Sequence, residues 1–371
     1  METIGDGAWC WFQDPRALRR GDRTYAGWVT PGGDIAAGYR DHGTGARAAG
    51  LLHAGFERDD HDAPAFHATG DRLLAFYTRH NGPAIHWRAL APDTLAPGPE
   101  RTLAPSTEHT YPNPRTLDGR LHLFYRNARG SVAYVVREDG AWSDERELVT
   151  TGGREWCVYA KLSAPADGRI TLALTFAESG RHDPHRDVRV VTFDGAALRT
   201  VGGRRLGGAA DGLPFREMPV VYDSDAGHDA WVWDCAGAPP EVVYATFPET
   251  DDHRYRYARW DGGEWHDERL ADAGSHIVGD NDELYYSGGA ALDGAGGVYA
   301  SVGDHGGSEL RHYERRGDGS GAEWAATTVA RGEQNVRPVV PRNGPEEVCW
   351  LRGRYTHYAD GDYEARVVSQ R

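Results

Sequence analysis

Seven Gly-containing turns divide the chain, near Gly21-Asp22, Gly70-Asp71, Asp118-Gly119, Asp167-Gly168, Ala226-Gly227, Gly294 to Gly297 and Asn343-Gly344. Their mean spacing is about 54 residues, close to the roughly 50 of a kelch-like repeat. Each turn lies between two apolar runs. The runs that follow read RTYAGWV, RLLAFYT, RLHLFYR, RITLALTF, HDAWVWDC, GVYASVG and EEVCWLRG. No segment carries apolar residues at helical spacing over three turns. A strand pair of this kind cannot bury its apolar face alone, so neighbouring units must stack. Radial closure also protects sheet edges that a flat array would expose. The expectation is an all-β chain: a seven-bladed β-propeller forming a single domain over residues 1–371. Shorter hairpins ending in tryptophan lie between the repeats: Asp139-Gly140-Ala141-Trp142, Asp261 to Trp265, and Asp318 to Trp324. Asp and Gly suit the turn, and Trp suits packing between blades.

Composition narrows the partners. The net charge of −15 argues against nucleic acid and against anionic membrane surfaces. No apolar run reaches the length of a membrane-spanning helix. The start, METIGDGAWCWFQD, lacks the basic and apolar regions of a signal peptide. A cytoplasmic protein or a mature secreted form is expected, as a monomer. The four cysteines, Cys10, Cys157, Cys235 and Cys349, include no CxxC pair. Buried free thiols are the plain reading; a Cys10–Cys349 bridge would join the two ends of the chain.

The stretch from Phe56 to Asn81 concentrates chemistry. It holds Asp59-Asp60-His61-Asp62, then an alternating hairpin turning at Gly70-Asp71, then Thr78-Arg79-His80-Asn81. Two strands joined by a tight turn return both clusters to one end of the sheet and set His61 beside His80. Paired imidazoles flanked by carboxylates make an acid/base site. At the same phase of the other repeats stand Gln13 to Arg16, His109 to Asn113, Arg154, Tyr159, Lys161, Arg216-Glu217, Asn281-Asp282, Asn335 and Arg337. On an acidic protein, such a ring forms a local basic patch suited to an anionic glycan, such as a uronate or a sulfated sugar. Lys161 is the only lysine, and lysine can lose its proton where arginine cannot. His182-Asp183-Pro184-His185 with Asp187 leaves room for a structural metal ion.

The segments WCWFQDPRA, FERDDHDAPAF, LLAFYTRH, TYPNPRTLDGRLHLFYR, QNVRPVVP and WLRGRYTHY span nearly the whole chain. With them the sequence resembles the BNR-repeat polysaccharide lyases of the ulvan-lyase type. The resemblance implies a seven-bladed propeller in which a histidine and a tyrosine act as base and acid, and arginine or histidine neutralises the uronate carboxylate. By the motifs, His61 and His80 are the matching histidines. Tyr111 and Tyr125 are both candidates for the tyrosine. Arg154 and Arg216 are candidates for the carboxylate contacts, from their place in the repeat. One departure stands out: the motif commonly reads Asp-Asp-His-Asn, and position 62 is Asp. A charged Asp62 would raise the pKa of His61 and repel an anionic substrate.

The leading expectation is a polysaccharide or oligosaccharide lyase that cleaves a uronate-containing glycan by β-elimination. Arg154, Arg216, Lys161 or His80 would neutralise the carboxylate, with Tyr159 and Arg337 as further substrate contacts. His61 or a tyrosine would remove the C5 proton, and a tyrosine would protonate the leaving oxygen. No cofactor is required. A sialidase-type hydrolase is the second expectation, because Phe215-Arg216-Glu217-Met218-Pro219 faintly echoes a sialidase motif; Glu217 and Asp282 would be its carboxylates. A non-catalytic glycan-binding propeller is the third. The products separate the three: an unsaturated sugar, a saturated reducing sugar, or none.

Overall fold

The structure, a computed structural model, describes residues 1–153, 156–177, 185–278, 284–317 and 323–371. The chain is all-β. Among the described residues the only helices are single 3-10 turns at Asp60–Asp62 and Phe215–Glu217. No helix there is long and apolar enough to cross a membrane.

Strands follow one another as antiparallel meanders, as the short turns dictate. The Gly70-Asp71 turn joins Ala65–Thr69 to Arg72–Tyr77, with Thr69 opposite Arg72. Turns 21–22 and 118–119 close equally tight hairpins, Arg20 opposite Arg23 and Leu117 opposite Arg120. The ends of the chain meet in one sheet: Glu2–Asp6 pairs with Tyr363–Gln370, Glu2 opposite Ser369. This closes the ring.

The count of seven blades does not stand. Among the described residues the strands form six hydrogen-bonded sheets, and only three of them are four-stranded; two have six strands and one has eight. The eight-stranded sheet arises where Trp265–Gly274 meets Val298–Asp304 through a parallel bridge between Gly274 and Gly303. Both glycines have left-handed φ, +93° and +150°, and a Cβ on Gly274 would lie 2.2 Å from the Gly303 carbonyl oxygen. Without side chains the two backbones approach closely enough to bond, and two successive repeats share one sheet. The six-stranded sheets grow differently: the segment after Gly208 lends Leu213–Pro214 to one and Val220–Tyr222 to the other.

One large apolar cluster runs through the molecule, from Ile4 and Trp9 to Tyr363 and Val367. At its centre Trp11 stacks on Trp233 at 4.1 Å and meets Trp231 edge-on at 4.8 Å. The tryptophan hairpins hold as turns where they are described. Asp139 and Gly140 both have left-handed φ, and Trp142 pairs back onto Arg137. Asp261 Oδ1 accepts the Gly263 and Glu264 amides. Asp318 lies outside the described residues, but Trp324 packs edge-on against Tyr257 of the preceding repeat. All four cysteines are buried free thiols, so no Cys10–Cys349 bridge joins the ends.

Candidate functional site

The hairpin from Ala65 to Tyr77 delivers the two polar clusters to one end. The segment before it is fixed by its own side chain: Asp59 caps the Asp60–Asp62 turn, its Oδ1 accepting the His61 amide at 2.9 Å. The same carboxylate then joins both histidines. Asp59 Oδ1 lies 2.6 Å from His61 Nδ1, and Oδ2 lies 3.2 Å from His80 Nδ1. The imidazoles stack with centroids 4.2 Å apart and planes 6° apart.

Their environments drive the two rings apart in protonation. Burial opposes charge on His61, but the facing Cys10 and Asp59 outweigh it and raise its pKa well above the ordinary value. Burial lowers His80 to about 4, with the charge of His61 adding to the effect. Burial would raise Asp59, but His61 and the hydrogen bonds from both rings hold it well below the usual range. Near neutrality the site therefore contains an imidazolium, a carboxylate and a neutral imidazole. His61 is 2% exposed and His80 27%. His80 lines the cavity, its Nδ1 is directed at Asp59, and no described residue hydrogen-bonds its Nε2.

The cavity holds about 330 Å3 and is walled by His61, His80, Tyr111, Arg126, Tyr159 and Trp231, among others. Tyr111 has φ of +60°, a conformation that costs a non-glycine residue energy and that collects at functional sites. Asn113 Nδ2 holds it by donating to the Tyr111 carbonyl at 2.9 Å and to Phe12 O at 2.7 Å. Arg126 lies over the rings of Tyr111 and Tyr159, at 4.9 and 5.4 Å. Its guanidinium donates to Asn81 Oδ1 at 3.1 Å, and no described carboxylate pairs with it. A mostly buried, positively charged fork without an anion is suited to a carboxylate ligand.

The other expected residues fall as follows. Tyr159 lines the cavity. Tyr125 does not; its hydroxyl donates to Glu145 at 2.8 Å in an outer apolar cluster. Lys161 is buried away from the cavity, donating to Trp11 O and to Asp14. Arg337 is also buried, beneath the histidines, donating to Asp60 and to Trp9 O at 2.7 Å. Arg216 is exposed, packs over Phe176 at 5.8 Å and is not among the residues lining this cavity. Arg154, His182, Asp183, Asn281 and Asp282 lie outside the described residues. Asp187 pairs with Arg189, and His185 stacks on Trp231 at 3.7 Å. Arg126 is the member that sequence reasoning passed over; its signal was position, one residue before Asn127 at a strand end.

Burial works against the charge on Asp62 from which repulsion was expected. Burial, then the charges of Asp59 and Glu57, raise its pKa well above the carboxylate range, and both its oxygens are buried without a partner. A neutral carboxyl is close in shape to the asparagine amide it stands in for. For a cation, Asp59, His61 and His80 offer ligand atoms within 4.8 Å of one another, as do His53, His86 and Glu100 elsewhere. In the first group the carboxylate already serves both rings.

Four neutral histidines, His185 and His253 buried and His67 and His80 half-buried, give a stability prediction. His67, His80 and His253 are held at about 4 and His185 at about 3, each chiefly by burial. Unfolded, each binds a proton below about 6.5. Their contribution is complete above that pH and is lost as pH falls toward 4. The melting temperature should fall progressively between pH 7 and pH 4.5; a flat profile would contradict this.

The fold is an all-β propeller, and His61, His80, Tyr111 and Arg126 line one of its cavities. The chain belongs to the BNR repeat-containing family, whose model matches residues 23–273. No curated protein sequence matches it. The fold is similar to that of the PL25 ulvan lyase solved with -[GlcA(1-4)Rha3S]- bound: TM-score 0.75, 13% identity, covering 100% of this chain and 94% of that one. It is similar to the polysaccharide lyase Uly1, with TM-score 0.61, 12% identity and coverage of 99% and 96%. It is also similar to the propeller domain of the Trilobed protease from Pyrococcus furiosus, with TM-score 0.52, 10% identity and coverage of 100% and 95%. At these identities the likeness is one of fold, and it extends beyond glycan enzymes.

Proposed function

We propose that this protein is a lyase that cleaves a uronate-containing polysaccharide or oligosaccharide by β-elimination. The observation that carries the reading is the Asp59-bridged histidine pair beside Tyr111 and Arg126, which pairs with no described carboxylate. In β-elimination the C5 proton leaves first, its electrons form the C4=C5 bond, and the C4–O4 bond breaks as O4 gains a proton. The C5–H is acidic enough only if the adjacent carboxylate is neutralised. Arg126 is placed for that, aided by the positive His61. His80 Nε2 carries the free lone pair for the C5 proton, and Asp59 fixes its tautomer and would stabilise the charge it gains. Tyr111, kept protonated because burial raises its pKa well above 10, supplies the proton to O4. This assigns the base to His80, where the sequence led to the expectation of His61 or a tyrosine; His80 is the more accessible of the two rings.

A hydrolase would need a carboxylate pair or a tyrosine–glutamate nucleophile pair, and in either case a carboxylate free to act. Among the described residues lining the cavity, Asp59 is the only carboxylate, and it is committed to the histidines. Glu217 is exposed beside Arg216.

The reading is tested by a screen of uronate polysaccharides and oligosaccharides, followed by ultraviolet absorbance of the unsaturated product. Silence across glucuronate, iduronate and galacturonate polymers would sink it. The charge assignment has its own test. Arg126→Gln should lower kcat/KM by about 10²-fold or more, as for loss of an electrostatic stabiliser, while Arg216→Gln should leave it within about twofold. Equal effects would remove Arg126 from the mechanism.

A further inference from the structure

Three strands that wall the catalytic cavity continue to a second chamber. Tyr111, Tyr159 and Trp231 face the first chamber; Arg115, Ser163 and Cys235, each four residues further on, face the second. Four residues of strand span about 13 Å, so the second chamber lies at the far end of the channel. It holds about 210 Å3, and Asp14, Arg115, Asp234, Asp293 and Arg342 contribute to its lining.

Three carboxylates and two guanidiniums line it, and the charges of Asp14 and Asp234 favour the charged form of Arg342. Arg16, Arg115, Lys161 and Arg342 gather around Asp14 and Asp234. Asp14 serves Lys161 and Arg16. Asp234 accepts the Cys235 and Leu292 amides, and burial raises its pKa, so it is the weaker counter-charge. Asp293 serves His312 at 2.9 Å. Arg115 is held by carbonyls, including Ser163 O at 2.8 Å and Asp14 O at 2.7 Å, and by no described carboxylate. The Arg342 side chain makes no hydrogen bond and no ion pair among the described residues. Like charges face one another here: after burial, the largest influence lowering Arg115, and likewise His67, is the charge of Arg342.

We propose that this chamber binds a small oxyanion, sulfate or phosphate, on the free guanidinium of Arg342 beside Arg115. The space suits such an ion with a few waters, since about 30 Å3 accommodates one water, and it is too small for a glycan chain. A planar fork without a described partner, half-buried in the chamber wall, forms charge-assisted bonds of the stronger kind. The bound ion would also relieve the repulsion between Arg115 and Arg342. The site is separate from the catalytic cavity and does not depend on the proposed chemistry.

The test is thermal unfolding of the full chain titrated with sodium sulfate or sodium phosphate, against sodium chloride at matched ionic strength. Sulfate stabilises proteins generally by exclusion, without saturating, so the signal is a saturable rise in melting temperature at millimolar anion. It is expected in the wild type and in the exposed control Arg316→Gln. In Arg342→Gln the half-saturating concentration should rise about tenfold or more, as the loss of a charge-assisted contact implies. Without oxyanion, Arg342→Gln should be at least as stable as the wild type, because it removes an unpaired cation. A rise that never saturates, an unchanged response in Arg342→Gln, or failure of that variant to fold would each overturn the proposal.

Discussion

His80→Ala should reduce turnover by about 10²- to 10⁴-fold, the usual worth of a positioned acid/base group, with the fold intact. The ring is part-exposed and its only described side-chain hydrogen bond is to Asp59, so its loss leaves no buried gap among apolar neighbours. The pH profile adds a second reading. With His80 held at about 4, the base form dominates above that pH, so the acid limb of kcat/KM in the free enzyme should lie nearer 4 than 6.5. His61→Ala should behave differently. That ring is buried, stacked on His80 and edge-on to Tyr358 at 4.8 Å, so its removal should cost both stability and turnover. A His80→Ala protein with normal turnover would shift the base to Tyr111.

Arg337→Ala should be the most damaging single substitution to stability. Its guanidinium and the Asp60 carboxylate are both fully buried and paired, and Tyr355 donates to the same carboxylate at 2.7 Å. Removing one partner of such a pair costs about 3–5 kcal/mol, because the other charge stays buried. Urea unfolding should show that loss in the midpoint with an unchanged slope. The double variant Arg337→Met with Asp60→Leu should recover much of it, since an apolar pair of similar volume leaves no stranded charge. A loss below about 1 kcal/mol in Arg337→Ala would mean that water reaches Asp60. Because Asp60 adjoins His61, the variant should also lower turnover.

The parts of this architecture that could be read from sequence were those set by local rules. Alternating apolar runs and Gly-rich turns fix an all-β meander whatever surrounds them. The His61–His80 pairing was legible because a two-residue turn at Gly70-Asp71 leaves one register for the hairpin. The blade count was not, because it depends on whether adjacent sheets bond to one another. At Gly274 and Gly303 the absence of two side chains lets them do so, and nothing in the spacing of turns records it.

Side-chain direction was the other blind spot. Tyr125 and Arg126 are neighbours on one strand and must face opposite sides. Which of them faces the channel depends on the register of the adjoining strand, which shifts between Thr110 and Asn113. The same irregularity puts Tyr111 in its left-handed conformation. Lys161 misled by its rarity. It shares the face of Tyr159, but two residues along a strand is about 6.6 Å, enough to move it from the cavity to the buried channel wall against Asp14. Arg337 and Arg216 lay at the right phase of their repeats, yet one turned inward to Asp60 and the other stayed on the surface.

The central claim is that the glycan is broken by elimination. It is tested most directly by digesting a uronate substrate found in the screen in water enriched in heavy oxygen and weighing the products. Elimination takes no water into either fragment. The account therefore predicts products whose masses sum to that of the substrate, with no heavy oxygen and a double bond on the new non-reducing end. Incorporation of one heavy oxygen atom per cleavage, with saturated products, would show hydrolysis and contradict it.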